Sequence, residues 1–284
     1  MTDLAGRTFI VTGANTGIGL VTARTLASRK ARVILACRSA EKTQPVVAEL
    51  RAATGNPDVE FVALDLGSMV SIRRCAADLV ARDLPIHGLI NNAGLGGARG
   101  VTQDGFELTV GTNHLGPYLL TRLLLDRIGA TAAADGAARI VNVASKVHYR
   151  AKAIDWAAFQ GPTRSRTGFP EYGVSKLCNV LFNAHLATRL PPGVTTYALH
   201  PGVVASDVWR SVPGPLRWMI KRFMITVEEG ALTTLHCATS PAVAGESGLY
   251  YDTCKAVTPS ALARDAGLAR ELWDRSAALV GLET

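Results

Sequence analysis

Thr8-Phe9-Ile10-Val11-Thr12-Gly13-Ala14-Asn15-Thr16-Gly17-Ile18-Gly19 runs from a short apolar segment directly into three spaced glycines, and a pattern of helical period follows over residues 17–29. Glycine lets a backbone turn sharply off a strand and approach a diphosphate closely. The start of the next helix adds unpaired N–H groups and the positive end of its dipole. A lone glycine triplet is weak, but one placed after a strand and before a helix predicts a dinucleotide cradle built from Gly13, Asn15, Thr16, Gly17, Ile18 and Gly19.

Outward from this stretch the same rhythm repeats. Short β-branched or aliphatic runs at 32–36, 59–64, 86–91, 139–143 and 195–199 alternate with longer stretches of helical period, including 40–54 and 68–82. Each helical stretch is long enough to cross back over a parallel sheet. The pattern predicts an α/β fold: one doubly wound, Rossmann-type domain spanning 1–284, with a parallel sheet of six or seven strands and helices on both faces. Two segments depart from it. Residues 146–170 read as a basic surface insertion, and residues 207–226 carry Leu216, Met219, Ile220 and Phe223 at helical spacing beside Arg217, Lys221 and Arg222.

Composition agrees with a large buried core: 48% of the 284 residues are hydrophobic and 19% charged, which excludes disorder and coiled coil as global descriptions. No apolar run approaches the ~20 residues a bilayer span needs, and no basic segment at the start leads into an apolar one. Five cysteines, an odd number without a C-x-x-C pair, suggest reduced thiols rather than a disulfide framework or zinc site. The expectation is a soluble, cytoplasmic protein. The net charge of +7 would steer phosphorylated ligands, but no nucleic-acid recognition motif accompanies it.

The second strand ends Leu35-Ala36-Cys37-Arg38, with no carboxylate to bind a ribose 2′-hydroxyl. Arg38, about 20 residues after the glycines, can instead pair with a 2′-phosphate, so NADP(H) is expected over NAD(H). Tyr172 and Lys176 lie four apart in a helical stretch and emerge on one face. A lysine charge ~4 Å from the phenol at effective dielectric ~20 is worth ~4 kcal/mol, enough to bring a tyrosine pKa from ~10 towards neutrality. Alone, Y-x-x-x-K is also a frequent surface pair.

Together these residues resemble the short-chain dehydrogenase/reductases, with T-G-x-x-x-G-x-G and Y-x-x-x-K, over nearly the whole chain. Asn91-Asn92-Ala93-Gly94 is similar to the family's N-N-A-G, and Asp65-Leu66 to its adenine-binding acid. Pro201-Gly202-Val203-Val204-Ala205-Ser206 is similar to the stretch that holds the nicotinamide carboxamide, with Ser206 where the family usually has Thr. Thr112-Asn113-His114-Leu115-Gly116, Leu199-His200-Pro201-Gly202 and Gly248-Leu249-Tyr250-Tyr251 resemble the retinol-dehydrogenase-like branch. That branch often carries an N-terminal membrane anchor in animals, whereas this chain starts directly at its first strand.

The resemblance implies a catalytic tetrad of Asn113, Ser145, Tyr172 and Lys176. In it Ser145 hydrogen-bonds the substrate oxygen, Tyr172 exchanges a proton with it, Lys176 lowers the Tyr172 pKa and binds the nicotinamide ribose, and Asn113 holds a relay water. It also implies cofactor contacts at Asp65, Leu66, Asn92, Ala93, Gly94, Pro201, Gly202, Val204 and Ser206. No metal is expected, and His87, His114, His148, His185, His200 and His236 read as satisfied structural histidines. Residues 207–226 are expected to form a lid over a bulky apolar carbonyl or alcohol, retinoid-, steroid- or polycyclic-like. A membrane contact through that basic amphipathic stretch is the second possibility. A non-catalytic NADP-binding sensor is the alternative reading of the whole chain, and the sequence leaves homo-oligomerisation open.

Overall fold

The computed structural model describes residues 3–202 and 225–283. Seven strands, β1 (Thr8–Thr12), β2 (Arg32–Cys37), β3 (Val59–Ala63), β4 (Gly88–Asn91), β5 (Ala138–Val143), β6 (Val194–His200) and β7 (Tyr250–Asp252), run parallel. A two-residue β8 (Lys255–Ala256) pairs antiparallel with β7, and the sheet order is β3-β2-β1-β4-β5-β6-β7-β8. The sheet thus has eight strands where six or seven are expected from sequence. The last two are short, and β8 is exposed, so neither leaves a periodic signal.

Every residue of β1 and of β4 is buried, because helices cover both faces of the sheet. Phe9 and Val11 pack with Ala23 and Leu26 of α1 (Gly17–Ser28) and Val47 of α2 (Ala40–Thr54). Ile10, one residue away and on the opposite face, packs with Ile72 of α3 (Met69–Ala81) and Leu119 of the long helix below. That helix begins as α4 (Leu108–Val110), widens through a π turn at Gly111–Leu115 and continues as α5 (Gly116–Asp135). Beyond it come α6 (Phe169–Leu186), α7 (Val227–Thr239) and α8 (Ala266–Val280). From β1 the order proceeds outwards through β2 and β3 on one side and through β4 on the other. A crevice therefore opens at the carboxyl ends of β1 and β4.

The 146–170 segment does lie at the surface, with Lys146, Arg150, Lys152, Arg164 and Arg166 exposed. It is nevertheless pinned to the frame. Glu107, 1% exposed, caps α4 by accepting from the amides of Thr109 and Val110, and its second oxygen accepts from Thr163 Oγ1 at 2.5 Å.

Buried histidines make the fold acid-sensitive. The Thr8 amide donates to His87 Nδ1, so Nε2 carries the proton and donates to Asp135. Burial holds His87 below its ordinary pKa, and pushes fully buried His114 down to about 3 and His200 to about 4. All three therefore stay neutral in the folded chain at pH values where the unfolded chain takes up protons. Their stabilisation is complete above the unfolded value near 6.5 and is lost as pH falls towards the folded values. His114 and His200 together should cost roughly 3 kcal/mol per pH unit across that window. Urea unfolding at pH 7.5 and 5 measures this; equal midpoints at both would contradict it.

Candidate active site

The carboxyl ends of β1 to β6 border a cleft of about 980 Å3, near the upper end of small-molecule sites. Its floor is a stitched seam. Thr12 Oγ1 accepts the amides of Asn92 and Ala93 at 3.0 Å each, while Asn92 Nδ2 donates to Thr12 O at 2.9 Å. Gly13 turns off β1 at φ +65, where a Cβ would stand 2.9 Å from that of Ala93. Gly17 starts α1 at φ +58, and the Thr16 side chain forms no cap hydrogen bond. With no acid in its first turn, α1 presents free N–H groups to the cleft, which is what a bound diphosphate needs. The chain therefore fits a dinucleotide without rearrangement of this loop.

Gly13, Asn15, Thr16, Gly17, Ile18, Gly19, Arg38, Asp65, Leu66, Asn92, Ala93, Gly94, Pro201 and Gly202 all line this cleft, together with Ser145, Tyr172 and Lys176. Val204 and Ser206, and residues 207–224 of the expected lid, lie outside the described residues. Arg38 is exposed at the end of β2 and has no ion-pair partner among the described residues. Asp65 Oδ1 accepts from the Gly67 amide at 2.9 Å. Cys37 has a place that sequence reading did not give it: its buried thiol lines the cleft beside the glycine loop, and burial raises its pKa while the loop's amides draw it down. Thr102 also borders the cleft and carries no motif that would have singled it out, and Thr112, from the stretch that resembles the branch, borders it too.

At the other end, β5 runs out through Val143 and Ala144 to Ser145, whose hydroxyl lies beside the Tyr172 phenol and draws its pKa down. Tyr172 and Lys176 sit one turn apart on α6, as their spacing predicts. Lys176 does not hold the phenol directly. Its ammonium donates to Val143 O at 2.7 Å and stands 5.8 Å from the Tyr172 ring centre. Burial pushes Lys176 down to about 8 and raises Tyr172 above its ordinary value, with the neighbouring Ser145 hydroxyl pulling the other way. The expected lowering of the phenol by the lysine is therefore not found in this arrangement, because that reasoning omitted the desolvation of both groups.

Asn113 lies within the π turn, buried, where its Oδ1 accepts from Leu95 N and its Nδ2 donates to Leu95 O and to Ser175 Oγ. Ser175 Oγ in turn donates to Tyr172 O at 2.8 Å, tying Asn113 to the tyrosine helix. A Cβ on Gly94 would meet Asn113 Oδ1 at 3.3 Å and Lys176 Nζ at 3.4 Å, so the glycine lies between these two members of the tetrad. The histidines are not uniformly satisfied: Nδ1 of both His114 and His200 is buried without a hydrogen-bond partner among the described residues, and His200 lines the cleft. Among the described residues no cluster suits a metal ion, and no helix is long and apolar enough to cross a membrane.

Comparison with known proteins rests on this geometry. Residues 7–215 match the family described as short chain dehydrogenase. The chain belongs to that family. Retinol dehydrogenase 11 of Homo sapiens is 44% identical over 284 residues, covering 99% of this chain and 87% of that protein. The structure of an uncharacterized protein from Mycobacterium paratuberculosis superposes with a TM-score of 0.79 at 32% identity, covering 100% of this chain and 96% of the other. The RhlG/NADP complex of Pseudomonas aeruginosa shares the fold at TM-score 0.69 and 24% identity, covering 94% and 98%. This short-chain dehydrogenase is of the retinol-dehydrogenase-like branch, an oxidoreductase acting between CH–OH and C=O with a nicotinamide dinucleotide.

Proposed function

We propose that this short-chain dehydrogenase uses NADP(H) to interconvert a bulky hydrophobic carbonyl compound and its alcohol, with Tyr172 carrying the proton. The observation that supports it most is the convergence of Ser145, Tyr172 and Lys176 on one wall of the cleft, with Lys176 one turn behind the phenol. Ser145 and Tyr172 converge on one point, where a substrate oxygen would receive two hydrogen bonds as charge develops on it. Burial keeps Tyr172 protonated at neutral pH, ready to donate in the reductive direction. Lys176, half charged at about pH 8 and mostly charged at neutral pH, favours the phenolate once the proton has left. Asn113 fixes the Leu95 backbone at the cleft wall and, through Ser175, the start of the tyrosine turn. A nicotinamide bound here supplies the hydride.

Leu95, Ala98, Val147 and Phe169 line the cleft on the Tyr172 side, a wall that recognises apolar bulk rather than charge or several hydroxyls. Five free thiols fit a reducing compartment, so we place the chain in a cytoplasm. The direct test is NADPH oxidation followed against hydrophobic aldehydes, steroid-like ketones and polyaromatic ketones. Turnover of at least one class supports the reading, and silence across all of them while NADPH still binds overturns it in favour of a dinucleotide sensor.

The NADP(H) preference rests on Arg38, a cation with no ion-pair partner among the described residues, standing where a carboxylate would select NAD(H). Charge-assisted hydrogen bonds of this kind are worth about 1.5–3 kcal/mol. Arg38→Asp should therefore raise the KM for NADPH about 10- to 100-fold and leave that for NADH within about threefold. Equal changes for both cofactors would defeat the assignment.

A further inference from the structure

His148 is completely buried, three residues after Ser145 in the 3-10 turn Lys146–Arg150. Its ring packs tilted against Tyr149 at 4.1 Å between centres and meets Tyr250 edge-on at 4.9 Å. Both ring nitrogens are used. The backbone N–H of Ser260 points at Nε2 at 3.2 Å, and Nδ1 stands 2.7 Å from the carbonyl oxygen of Ser145. A backbone amide can only donate and a carbonyl can only accept, so Nε2 is the bare nitrogen and Nδ1 carries the hydrogen. The backbone amide of His148 also donates to Ser145 O, at 3.2 Å, so one carbonyl receives both donors of one residue. Tyr149, next in the chain, fastens the same turn to the same distant segment by donating to Thr258 O at 2.6 Å.

We infer that His148 is a positioning residue for Ser145: its neutral ring transmits the place of the 258–260 segment to the Ser145 peptide, and so fixes where the Ser145 hydroxyl meets the substrate oxygen. The inference rests on the proposed role of Ser145. Rotation of the Ser145 peptide would swing both the extended backbone at φ −169, ψ 153 and the hydroxyl it carries. Reacting groups tolerate little of this, since a misplacement of ~1 Å can cost ~100-fold in rate. The hydroxyl's own acceptor bond, from Val147 N at 3.2 Å, lies inside the turn and moves with it. The Ser260 link, together with Tyr149 to Thr258 and the Lys146–Asp252 ion pair at 2.6 Å, references the turn to the rest of the molecule, and of these only the Ser260 link runs through the ring that holds the Ser145 carbonyl.

Two substitutions separate the two ring nitrogens. In His148→Asn the amide nitrogen takes the place of Nδ1 and keeps the donor to Ser145 O. In His148→Gln the polar group reaches only the Nε2 position, and that donor is lost. With the carbonyl substrate found in the NADPH screen, kcat should fall about 10- to 100-fold in His148→Gln and stay within about threefold of wild type in His148→Asn, with NADPH affinity unchanged in both. In a Ser145→Ala background, adding His148→Gln should cost less than about twofold more, because the residue acts through a hydroxyl that is already gone. Imidazole nitrogen NMR on the unaltered protein should find the His148 hydrogen on Nδ1. Equal losses in the Asn and Gln variants, a full-sized loss in the Ser145→Ala background, or a hydrogen on Nε2 would each overturn the inference. Undiminished turnover in Ser145→Ala alone would instead refute the catalytic reading of the site.

Discussion

Tyr172→Phe should abolish nearly all carbonyl reduction, lowering kcat by about 10²- to 10⁴-fold, while NADPH binds within about threefold of its wild-type affinity. The substitution removes one oxygen and leaves the ring, so the edge contact with Phe169 at 6.4 Å between centres survives. The α6 backbone is untouched, and Ser175 still donates to the carbonyl of residue 172. What disappears is the proposed proton donor beside the Ser145 hydroxyl. The glycine loop and Arg38 lie at the end of the cleft where the cofactor's phosphates are proposed to sit, away from its reacting end. Stopped-flow reduction together with fluorescence titration of NADPH separates the two effects. A variant retaining turnover within about tenfold of wild type would remove Tyr172 from the role of proton carrier.

The sequence makes some links of this site plain and hides others, for physical reasons. A parallel strand buried on both faces must be a continuous apolar run, and a helix one turn later must place i and i+4 together, so β1, the glycine loop, Tyr172 and Lys176 are legible from spacing. Backbone acceptors carry no side-chain signature. Nothing in the sequence says that Lys176 donates to Val143 O, 33 residues away, and the expectation that it acts on the phenol directly passed over that alternative. The balance of burial against charge, which sets the direction for Tyr172, is likewise a property of the packed site. Asn113 is reached through family resemblance, yet the π turn that carries it has no periodic mark. His148 and Ser260 are 112 residues apart and meet only because the chain after β8 returns to the catalytic edge of the sheet. Short edge strands such as β7 and β8 escape for a related reason: two or three residues cannot display a period.

Replacement of a single hydrogen in the cradle should be nearly as damaging as loss of the phenol. A Cβ on Gly19 would stand 2.5 Å from Asn92 Nδ2, 2.6 Å from Gly13 O and 3.1 Å from Ala14 Cα. None of these atoms can yield cheaply. Asn92 Nδ2 is held by Thr12 O, Gly13 O belongs to the turn itself, and the Gly13 amide is bonded to Ala36 O at 2.9 Å. Relief must come from moving α1 away from β4, which withdraws its first-turn N–H groups from the place where a diphosphate would sit. Overpacking of this kind typically costs about 1–3 kcal/mol in stability. For a chain of this size that is a Tm lower by several degrees, roughly 2–4 °C per kcal/mol. The larger effect is on binding: Gly19→Ala should weaken NADPH by about 100-fold or more, since the loop and helix end act together on the same anion. Gly245→Ala is the control. It is exposed, no atom stands within 4 Å of the added carbon, and it should leave both Tm and NADPH affinity unchanged. Calorimetric titration of both variants decides the matter, because Gly19→Ala binding NADPH as tightly as Gly245→Ala would mean that the glycine loop is a plain turn and the cofactor is held elsewhere.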